Sequence, residues 1–482
     1  MKNNLSDKHL FWIFLFLITL LRLRVSTQFG LGVDEAHYVL YGKILDWSYF
    51  DHPPLVGWVQ GLFQLLPMDH LIKARLPAIL ISILTSQLIY NYLISKKITA
   101  RHALYALFVL NLTPMFNAMS IALLPDTLLM PLTLLIIIQT EKVLESSTLT
   151  NWALMGLWLG LAGLSKYTAV LYILALVLIF IFKKQFRELL KINLWIGVLI
   201  ALALISPVLY WNVQNNFVSF QYQANHVLTL DASILNNISA SFGMQMLSWG
   251  FGPFFIALAA YAGLIKNFKR EKDFLITLIF LTVFLAFFIY VSIAEVLLPH
   301  WMLIYFILSI PVGYAYFLKN YRLKKTLISS FVISALISLI LLFELAFKIL
   351  PTEKTAALYE GIHGWDNIMS MANERLYSVS NPKKSIAVMN WTLGSRAMYY
   401  STTSAEVFVI DSRFDQFDIW APKSHIGDDV IVVIEAHKKD ENLAHLNCAQ
   451  IAAVGELTNT IKGVPVNSFL YYHCANFLGY KE

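Results

Sequence analysis

The strongest constraint on this chain is a series of long apolar runs separated by short basic or acidic loops. A membrane-spanning helix needs about 20 mostly apolar residues, and about eleven segments meet or approach that length. They lie near residues 10–29, 76–95, 103–123, 126–141, 151–165, 167–182, 192–211, 243–265, 274–293, 301–318 and 326–349. Charged residues make up only 14% of the chain, against about 25% in soluble domains. The sequence therefore predicts an all-α polytopic membrane domain over residues 1–350.

The basic residues of this domain predict its orientation. If the N-terminus is cytoplasmic, the basic loops near residues 96–101, 183–191, 266–272 and 319–325 all fall on one side, as the positive-inside rule requires. The net charge of +6 is then a topology signal, and no nucleic acid partner is predicted. An odd number of spans then leaves the C-terminal region outside, along with the acidic first loop, about 30–75. We expect a bacterial inner membrane protein whose active site and C-terminal domain face the periplasm.

Residues 351–482 have a different character and predict a small soluble α/β extracytoplasmic domain. Short β-type cores lie at 385–390, 406–411 and 428–435, and helical patterns lie near 365–378 and 438–446. Cys448 and Cys474 give no metal framework. In an oxidising compartment they are a plausible disulfide across the final strands.

The first outer loop carries the most unusual side chains of the chain. Asp34 and Glu35 are neighbouring carboxylates close to the apolar slab, an arrangement that can raise the pKa of one and leave the other charged. Such a pair suits a general base that takes a proton from an acceptor hydroxyl. Asp34 can instead be a simple helix N-cap. We predict Asp34 and Glu35 as catalytic residues and Tyr38 as a substrate contact.

A second part of the same loop reads Asp51-His52-Pro53-Pro54. Two prolines fix an extended turn, which would hold Asp51 and His52 rigidly as substrate-binding side chains. The alternative is a stiff loop that re-enters the membrane. An Asp-His pair can also ligate a divalent metal, although no further residue has metal-ligand spacing.

Three cations fall on the outer side of the membrane and are predicted to bind a donor phosphate: Arg22, Arg24 and Lys166. Their alternative role is to snorkel to the interface. Further polar and aromatic residues on that side are predicted substrate contacts, although an interfacial belt or a helix cap explains them equally. These residues are Asp126, Tyr167, Asn212, Gln221, His226 and His300.

Five stretches together resemble a known superfamily: 32–38, 46–55, 124–126, 164–168 and 211–221. They are similar to the GT-C glycosyltransferases that use polyprenyl-phosphate sugars, in particular the bacterial branch of the protein O-mannosyltransferase-like (family 39-like) superfamily. Aminoarabinose–lipid A transferase and the rhizobial galacturonosyl transferases belong to the same group. The resemblance implies a GT-C fold, a polyprenyl-phosphate sugar donor and inversion at the anomeric carbon. It also implies an acidic residue of the first outer loop as base, which falls on Asp34.

The acceptor is left open by the sequence. The resemblance favours lipid A or another envelope glycolipid as the acceptor, and a protein acceptor is the alternative. Membrane lipids are further expected partners. No cofactor is certain, and a divalent metal stays open. A transporter or flippase of a lipid-linked sugar would use the same cations and apolar grooves without an essential base. A membrane-anchored sensor is disfavoured, because about eleven spans are far more than an anchor needs.

Overall fold

The structure is a computed structural model that describes residues 6–228, 233–267, 272–320, 324–350, 352–402, 405–420 and 425–481. The region before the C-terminal sheet is helical. Its helices are α1 (Asp7–Val25), α2 (Val33–Lys43), α3 (Leu55–Gln64), α4 (His70–Ser95), α5 (Ala100–Asn111), α6 (Pro114–Met119), α7 (Pro125–Glu145), α8 (Leu149–Ser165), α9 (Val170–Phe182), α10 (Ile192–Gln214), α11 (Val218–Leu228), α12 (Ile234–Trp249), α13 (Phe251–Lys266), α14 (Leu275–Ala294), α15 (Leu303–Asn320) and α16 (Lys324–Phe347).

Several of these helices can cross a membrane by length and composition. Among the described residues, five qualify alone: α4, α7, α10, α14 and the 329–347 part of α16. The segments 167–182 and 303–318 are apolar but shorter. The chain is therefore a multi-pass membrane protein, as predicted, and the total of about eleven spans stays a prediction.

The predicted span at 243–265 is not one continuous helix. Helices α12 and α13 meet there at an angle of 112°. Gly250 forms the break with a φ of +85°, and a Cβ atom at this position would lie 2.4 Å from the hydroxyl oxygen of Ser334. Only glycine combines that backbone conformation with so close an approach to α16.

The helices differ strongly in how much of their length is buried within the protein. In the most apolar 18-residue stretch of α7, 72% is buried, whereas in that of α10 only 11% is buried. Helix α10 therefore presents most of its apolar side chains outward, as a lipid-facing helix does. It packs closely on α8 where Gly156 meets Gly197, because any Cβ on Gly156 would lie 2.1 Å from the carbonyl oxygen of Gly197.

The first outer loop is a compact pair of helices, α2 and α3. Tyr41 and Tyr49 stack with ring centroids 3.6 Å apart, and the Tyr49 hydroxyl donates to the carbonyl of Tyr41 at 2.7 Å. The two prolines precede α3, which begins at Leu55 directly after Pro54. The loop is thus rigid, and α2 is held in one orientation above the membrane helices.

The C-terminal domain contains a five-stranded mixed sheet in the order β2-β1-β3-β5-β4. Its elements are α17 (Glu353–Ala356), α18 (Trp365–Tyr377), β1 (Lys384–Val388), α19 (Trp391–Tyr400), β2 (Val407–Val409), α20 (Gln416–Trp420), β3 (Asp429–Glu435), α21 (Lys439–Ala444), β4 (Leu446–Ile461) and β5 (Val464–Tyr480). Strands β1, β2 and β3 are parallel neighbours, and β5 pairs antiparallel with both β3 and β4. The three predicted strand cores are confirmed as β1, β2 and β3. Cys448 and Cys474 form the expected disulfide, joining β4 to β5.

The C-terminal domain docks on the first outer loop. The amide of Gly30 donates to the carbonyl of Ile362 at 2.8 Å, and the amide of Leu31 donates to the Tyr400 hydroxyl at 2.8 Å. Helix α19 packs along α2. This contact places residues from both ends of the chain around one cavity.

Candidate active site

A cavity of about 380 Å³ lies between the outer ends of the membrane helices and the C-terminal domain. This volume falls within the usual range for small-ligand sites. Its lining comes from α2, the Phe50–His52 turn, Lys166, the segment after α14 and the C-terminal domain. The polar and charged lining residues are Asp34, His37, Tyr38, Asp51, His52, Lys166, Thr168, Tyr222, Gln223, Glu295, His300, Arg413, Asp415 and Gln416.

Asp34 lies in the first turn of α2 and faces this cavity. Burial raises the pKa of its carboxyl to about 6, and the negative charges of Asp51, Asp126 and Glu35 add to the rise, while Lys166 opposes it. A carboxylate with this pKa is mostly ionised at neutral pH and is a better proton acceptor than an ordinary aspartate. Asp34 is therefore suited to act as a general base.

Asp34 is not the cap of its helix. The N-cap residue is Gly32, and its amide donates to Oε2 of Glu35 at 2.9 Å. The N-cap interpretation of Asp34 is therefore wrong, and the capping role falls to its neighbour. The Asp34 carboxylate is therefore not used to cap the helix and lines the cavity.

Glu35 turns away from the cavity and pairs with Arg75 of α4. The guanidinium donates to both carboxylate oxygens, from Nε at 2.7 Å and from Nη2 at 2.9 Å. Arg75 is fully buried and also donates to the carbonyls of Ser26, Phe29 and Gly30. The pair fixes the link between α1 and α2, so the structure places Glu35 as a structural support for Asp34 and not within the cavity.

Lys166 lies in the cavity and pairs with Asp126. Its ammonium donates to both carboxylate oxygens, at 2.8 and 2.7 Å. The Ser165 hydroxyl donates to the carbonyl of Pro125 at 2.7 Å, which joins the end of α8 to the start of α7 and brings the two charges together. The side chains are 12% and 4% exposed, so this is a buried ion pair. Such a pair is sensitive to the loss of either partner.

Asp51 and His52, which precede the two prolines, both line the cavity. The Tyr41 hydroxyl donates a short hydrogen bond to Asp51 and lies 3.1 Å from Nε2 of His37. The Tyr41 hydroxyl has a single proton and donates it to Asp51, so Nε2 of His37 is the donor in its hydrogen bond with the Tyr41 oxygen. Burial opposes ionisation of Asp51, but His52, His37 and the Tyr41 hydrogen bond outweigh it and lower its pKa. Asp51 is thus a fixed negative charge beside Asp34.

The histidines of the cavity are neutral at pH 7. Burial lowers the pKa of His37 to about 4, with further lowering by His52 and Arg413. Burial also lowers the pKa of His300 to about 4, helped by Lys166 and His52, against the opposing charge of Asp126. Burial lowers the pKa of His52 too. Positive charge in the cavity therefore comes from Lys166 and Arg413, among the residues that the structure describes.

The C-terminal domain closes one wall of the cavity, a contribution that the sequence did not predict. Arg413 donates to the Tyr222 hydroxyl at 3.1 Å and lies 5.9 Å from the ring of Trp391. The amide of Phe50 donates to Gln416 at 2.7 Å, and Ser395 lies 3.1 Å from Nδ1 of His37. The contact of the segments 395–400 and 414–420 with the first outer loop is not visible in one sequence.

Two of the three predicted phosphate-binding cations lie away from the cavity. Arg22 points into the helix bundle, where it donates to Asn117 at 2.9 Å, Asn111 at 3.1 Å and Ser82 at 3.2 Å. It is fully buried and is held by these neutral partners. Arg24 is exposed, and its guanidinium lies 5.7 Å from the ring centroid of Phe347. The structure therefore brings only Lys166 of this set to the site.

The predicted substrate contacts also divide into two groups. Tyr38, Asp51, His52 and His300 line the cavity directly, and Asp126 reaches it through Lys166. The other predicted contacts lie outside the lining. Tyr167 packs against Phe220, Asn212 donates to the carbonyl of Val208, Gln221 donates to that of Asn216, and the side chain of His226 lies outside the described residues.

Gln223, two residues beyond the predicted Gln221, lines the cavity instead. It donates to the carbonyl of Asp51 at 2.8 Å. The helical period of α11 turns position 223 inward and position 221 outward, and the start of this helix could not be set from the sequence. Within the described part of the chain, no three His, Cys, Asp or Glu side chains form a group suited to hold a metal. We assign no chemical step to a divalent ion.

Comparisons with known proteins agree with this architecture. Residues 51–211 match the family model of dolichyl-phosphate-mannose-protein mannosyltransferases, about a third of the chain. The crystal structure of ArnT from Cupriavidus metallidurans in the apo state is similar to this chain, with a TM-score of 0.65, 13% identity and coverage of 97% of this chain and 98% of ArnT. ArnT bound to undecaprenyl phosphate gives a TM-score of 0.63 at 13% identity, covering 96% and 97% of the two chains. A comparison with curated protein sequences gives no significant match.

The structural likeness extends over nearly the whole chain and shows the fold, including the small C-terminal sheet domain. The family-model match falls on the segment that carries Asp51, Asp126 and Lys166. Both comparisons agree with the resemblance drawn from the sequence: the chain has the GT-C fold of ArnT, and a third of it matches a family model of membrane glycosyltransferases.

Proposed function

We propose that this protein transfers a sugar from a polyprenyl-phosphate donor to a hydroxyl or phosphate of an extracytoplasmic acceptor, with inversion at the anomeric carbon. The observation that carries the proposal is the Asp34 carboxylate, with a pKa of about 6, in a cavity that also holds Lys166 and Arg413. The related ArnT was solved with undecaprenyl phosphate bound, which supports a donor of this class.

The proposed reaction is a single displacement. The acceptor oxygen attacks the anomeric carbon while the bond from that carbon to the phosphate oxygen breaks, and the lipid phosphate leaves with the electron pair. When a hydroxyl attacks, Asp34 takes its proton. Lys166 and Arg413 line the cavity, and preorganised cations stabilise the negative charge that develops on a leaving phosphate. Because Asp126 compensates much of the Lys166 charge, Arg413 is the stronger candidate for this role.

The acceptor we favour is lipid A or another envelope glycolipid. The cavity lies between membrane helices and the C-terminal domain, so a membrane-anchored molecule reaches it without leaving the bilayer. Mass spectrometry of envelope glycolipids from cells with and without the protein tests this proposal. We expect one glycolipid to lose a hexose, hexosamine, pentose or uronic acid when the protein is absent. Unchanged glycolipids, together with a lost glycoprotein signal, would contradict a glycolipid acceptor and identify a protein as the acceptor.

Orientation in the membrane can be tested separately. We propose that the cavity and the C-terminal domain face the periplasm. Single cysteines placed by Met68→Cys in the first outer loop and Lys439→Cys in the C-terminal domain should react with an impermeant maleimide in intact spheroplasts. Lys97→Cys, in the basic loop between α4 and α5, should react only after lysis. The two native cysteines form a disulfide and do not interfere. Opposite accessibility of the two outer sites would show that the span count is wrong by an odd number.

A further inference from the structure

A second cavity, of about 570 Å³, lies on the other side of the contact between the membrane region and the C-terminal domain. Helix α2 runs between the two cavities: Asp34 at its start lines the first, and Lys43 at its end lines the second. Nine residues of helix separate the two by roughly 13 Å. The second cavity is therefore a separate site, and none of the proposed chemistry uses it.

The charges around this cavity favour an anion. Lys43 and Lys348 line it, with Asp366 as the acid and His70 and His363 as neutral or positive neighbours. Neither lysine forms a salt bridge with a carboxylate in the part of the chain that the structure describes. Lys166 differs in this respect, because its ammonium donates to both carboxylate oxygens of Asp126. Two ammonium groups without a salt-bridged carboxylate at one concave surface, against the single acid Asp366 of the lining, favour an anion.

The surroundings of the two lysines leave their ammonium groups without a carboxylate partner in the described part of the chain. The Lys43 ammonium lies 4.4 Å from the ring centroid of Tyr399, which directs it across the cavity floor. Lys348 follows the last turn of α16. The nearby carboxylate of Glu344 is occupied by the Leu350 amide at 2.8 Å and the Tyr359 hydroxyl at 2.9 Å. Glu344 therefore fixes the end of α16 and does not neutralise Lys348.

The position of the cavity indicates where its anion comes from. Thr27 and Lys348 line it; Thr27 lies two residues after the end of α1, and Lys348 directly follows α16, where these helices leave the membrane region. The cavity thus lies at the level of lipid headgroups, beneath the C-terminal domain. Tyr399, Tyr400 and several hydroxyl and amide side chains complete its wall and suit the polar remainder of a headgroup.

We propose that this cavity binds the phosphate group of an outer-leaflet lipid between Lys43 and Lys348. Charge-assisted hydrogen bonds from two ammonium groups would hold the phosphate. The bound lipid would bridge α2, α16 and α19 and so stabilise the docking of the C-terminal domain over the active site. This inference concerns binding alone and does not depend on the identity of the sugar or the acceptor.

Native mass spectrometry of the full-length protein in detergent provides the test, because it counts bound lipids without any turnover. The protein is titrated with dioctanoyl phosphatidic acid, with dioctanoylglycerol, which lacks the phosphate, and with inorganic phosphate as competitor. We expect one phosphatidic acid molecule to bind at least about tenfold more tightly than dioctanoylglycerol. Competition by millimolar inorganic phosphate would support the phosphate site and identify free phosphate as a sufficient ligand. Resistance to it would identify the lipid as the source.

Variants separate this site from lipid bound elsewhere around the helices. Lys43→Ala/Lys348→Ala should weaken phosphatidic acid binding by about tenfold or more, because each charge-assisted hydrogen bond contributes strongly. Lys43→Arg/Lys348→Arg keeps both charges and should retain binding. Retained binding would also show that the protein still folds when these two positions are changed. Lys439→Ala removes an exposed lysine of the C-terminal domain that does not line the cavity, and should bind as the wild type. Equal binding by the wild type and the double alanine variant would overturn the proposal.

Discussion

Asp34→Asn is expected to lower the rate of sugar transfer by about 10²–10⁴-fold while leaving the protein folded. Asparagine keeps the size and hydrogen bonding of aspartate but cannot accept the proton of the acceptor hydroxyl. Stability should be nearly unchanged, because the cap of α2 is Gly32 and its amide is satisfied by Glu35, not by Asp34. The measurement is transfer from a polyprenyl-phosphate sugar by purified protein with wild-type expression and thermal stability.

The pH dependence of the same reaction gives a second signature of Asp34. A general base acts in its deprotonated form, so the transfer rate should rise as the pH increases through about 6, the raised pKa of Asp34. In Asp34→Asn this limb of the profile should disappear along with most of the activity. His37 and His300 do not produce the limb, since their pKa values are about 4. Near-wild-type turnover in Asp34→Asn would remove this residue from the mechanism and make Asp51 the next candidate.

Glu35→Gln is the matched control, since it neutralises the neighbouring carboxylate. It removes the charge partner of the buried Arg75, so it should lower the melting temperature. The activity of the folded fraction should retain its rise with pH, because Asp34 is still present. Loss of the pH limb in Glu35→Gln with Asp34 intact would exchange the roles assigned to the two carboxylates.

Lys166→Ala is expected to destabilise the protein by about 3–5 kcal/mol, because it leaves the buried Asp126 carboxylate without its partner. Both Asp126 oxygens accept from Lys166, and the aspartate side chain is only 4% exposed. Thermal unfolding in detergent measures the effect.

The double variant Lys166→Ala/Asp126→Ala separates stability from donor binding. Removing both charges together should recover most of the lost stability, because no unpaired charge then stays buried. If Lys166 contacts the donor phosphate, the recovered protein should still need far more donor for half-maximal rate. Lys166→Arg should keep part of the activity, because the charge survives while the geometry changes. Wild-type stability in Lys166→Ala would contradict the buried-pair account, and wild-type donor dependence in the double variant would return Lys166 to a structural role.

The sequence predicted the parts of the site in which a polar side chain stands out against an apolar background. Asp34, Asp51, His52, Lys166 and His300 were found in this way, and all of them line the cavity. The same signal misassigned Arg22, because a cation that binds a ligand and a cation that hydrogen-bonds inside a bundle look alike in one sequence. Its amide partners, Asn111 and Asn117, lie about 90 residues away along the chain.

What the sequence could not predict depends on long-range contacts. Arg75 lies within a helical pattern, and its pairing with Glu35 joins positions 40 residues apart. The contact between His37 and Ser395 spans 358 residues and places the C-terminal domain over the cavity. Hydropathy and local turn signals contain no information on such docking. The break at Gly250 was missed for a related reason, because the residues on both sides of it are apolar and read as one continuous helix.

The central claim is that the protein cleaves the bond between a sugar and a polyprenyl phosphate instead of moving the intact lipid across the membrane. The most direct test is to reconstitute purified protein in liposomes with a polyprenyl-phosphate sugar and an envelope glycolipid acceptor, and to quantify free polyprenyl phosphate by mass spectrometry. We expect it to appear in equal amount with the glycosylated acceptor, and to fall to background with Asp34→Asn. Redistribution of intact sugar-loaded lipid between the two leaflets, with no free polyprenyl phosphate, would contradict the claim and identify a flippase.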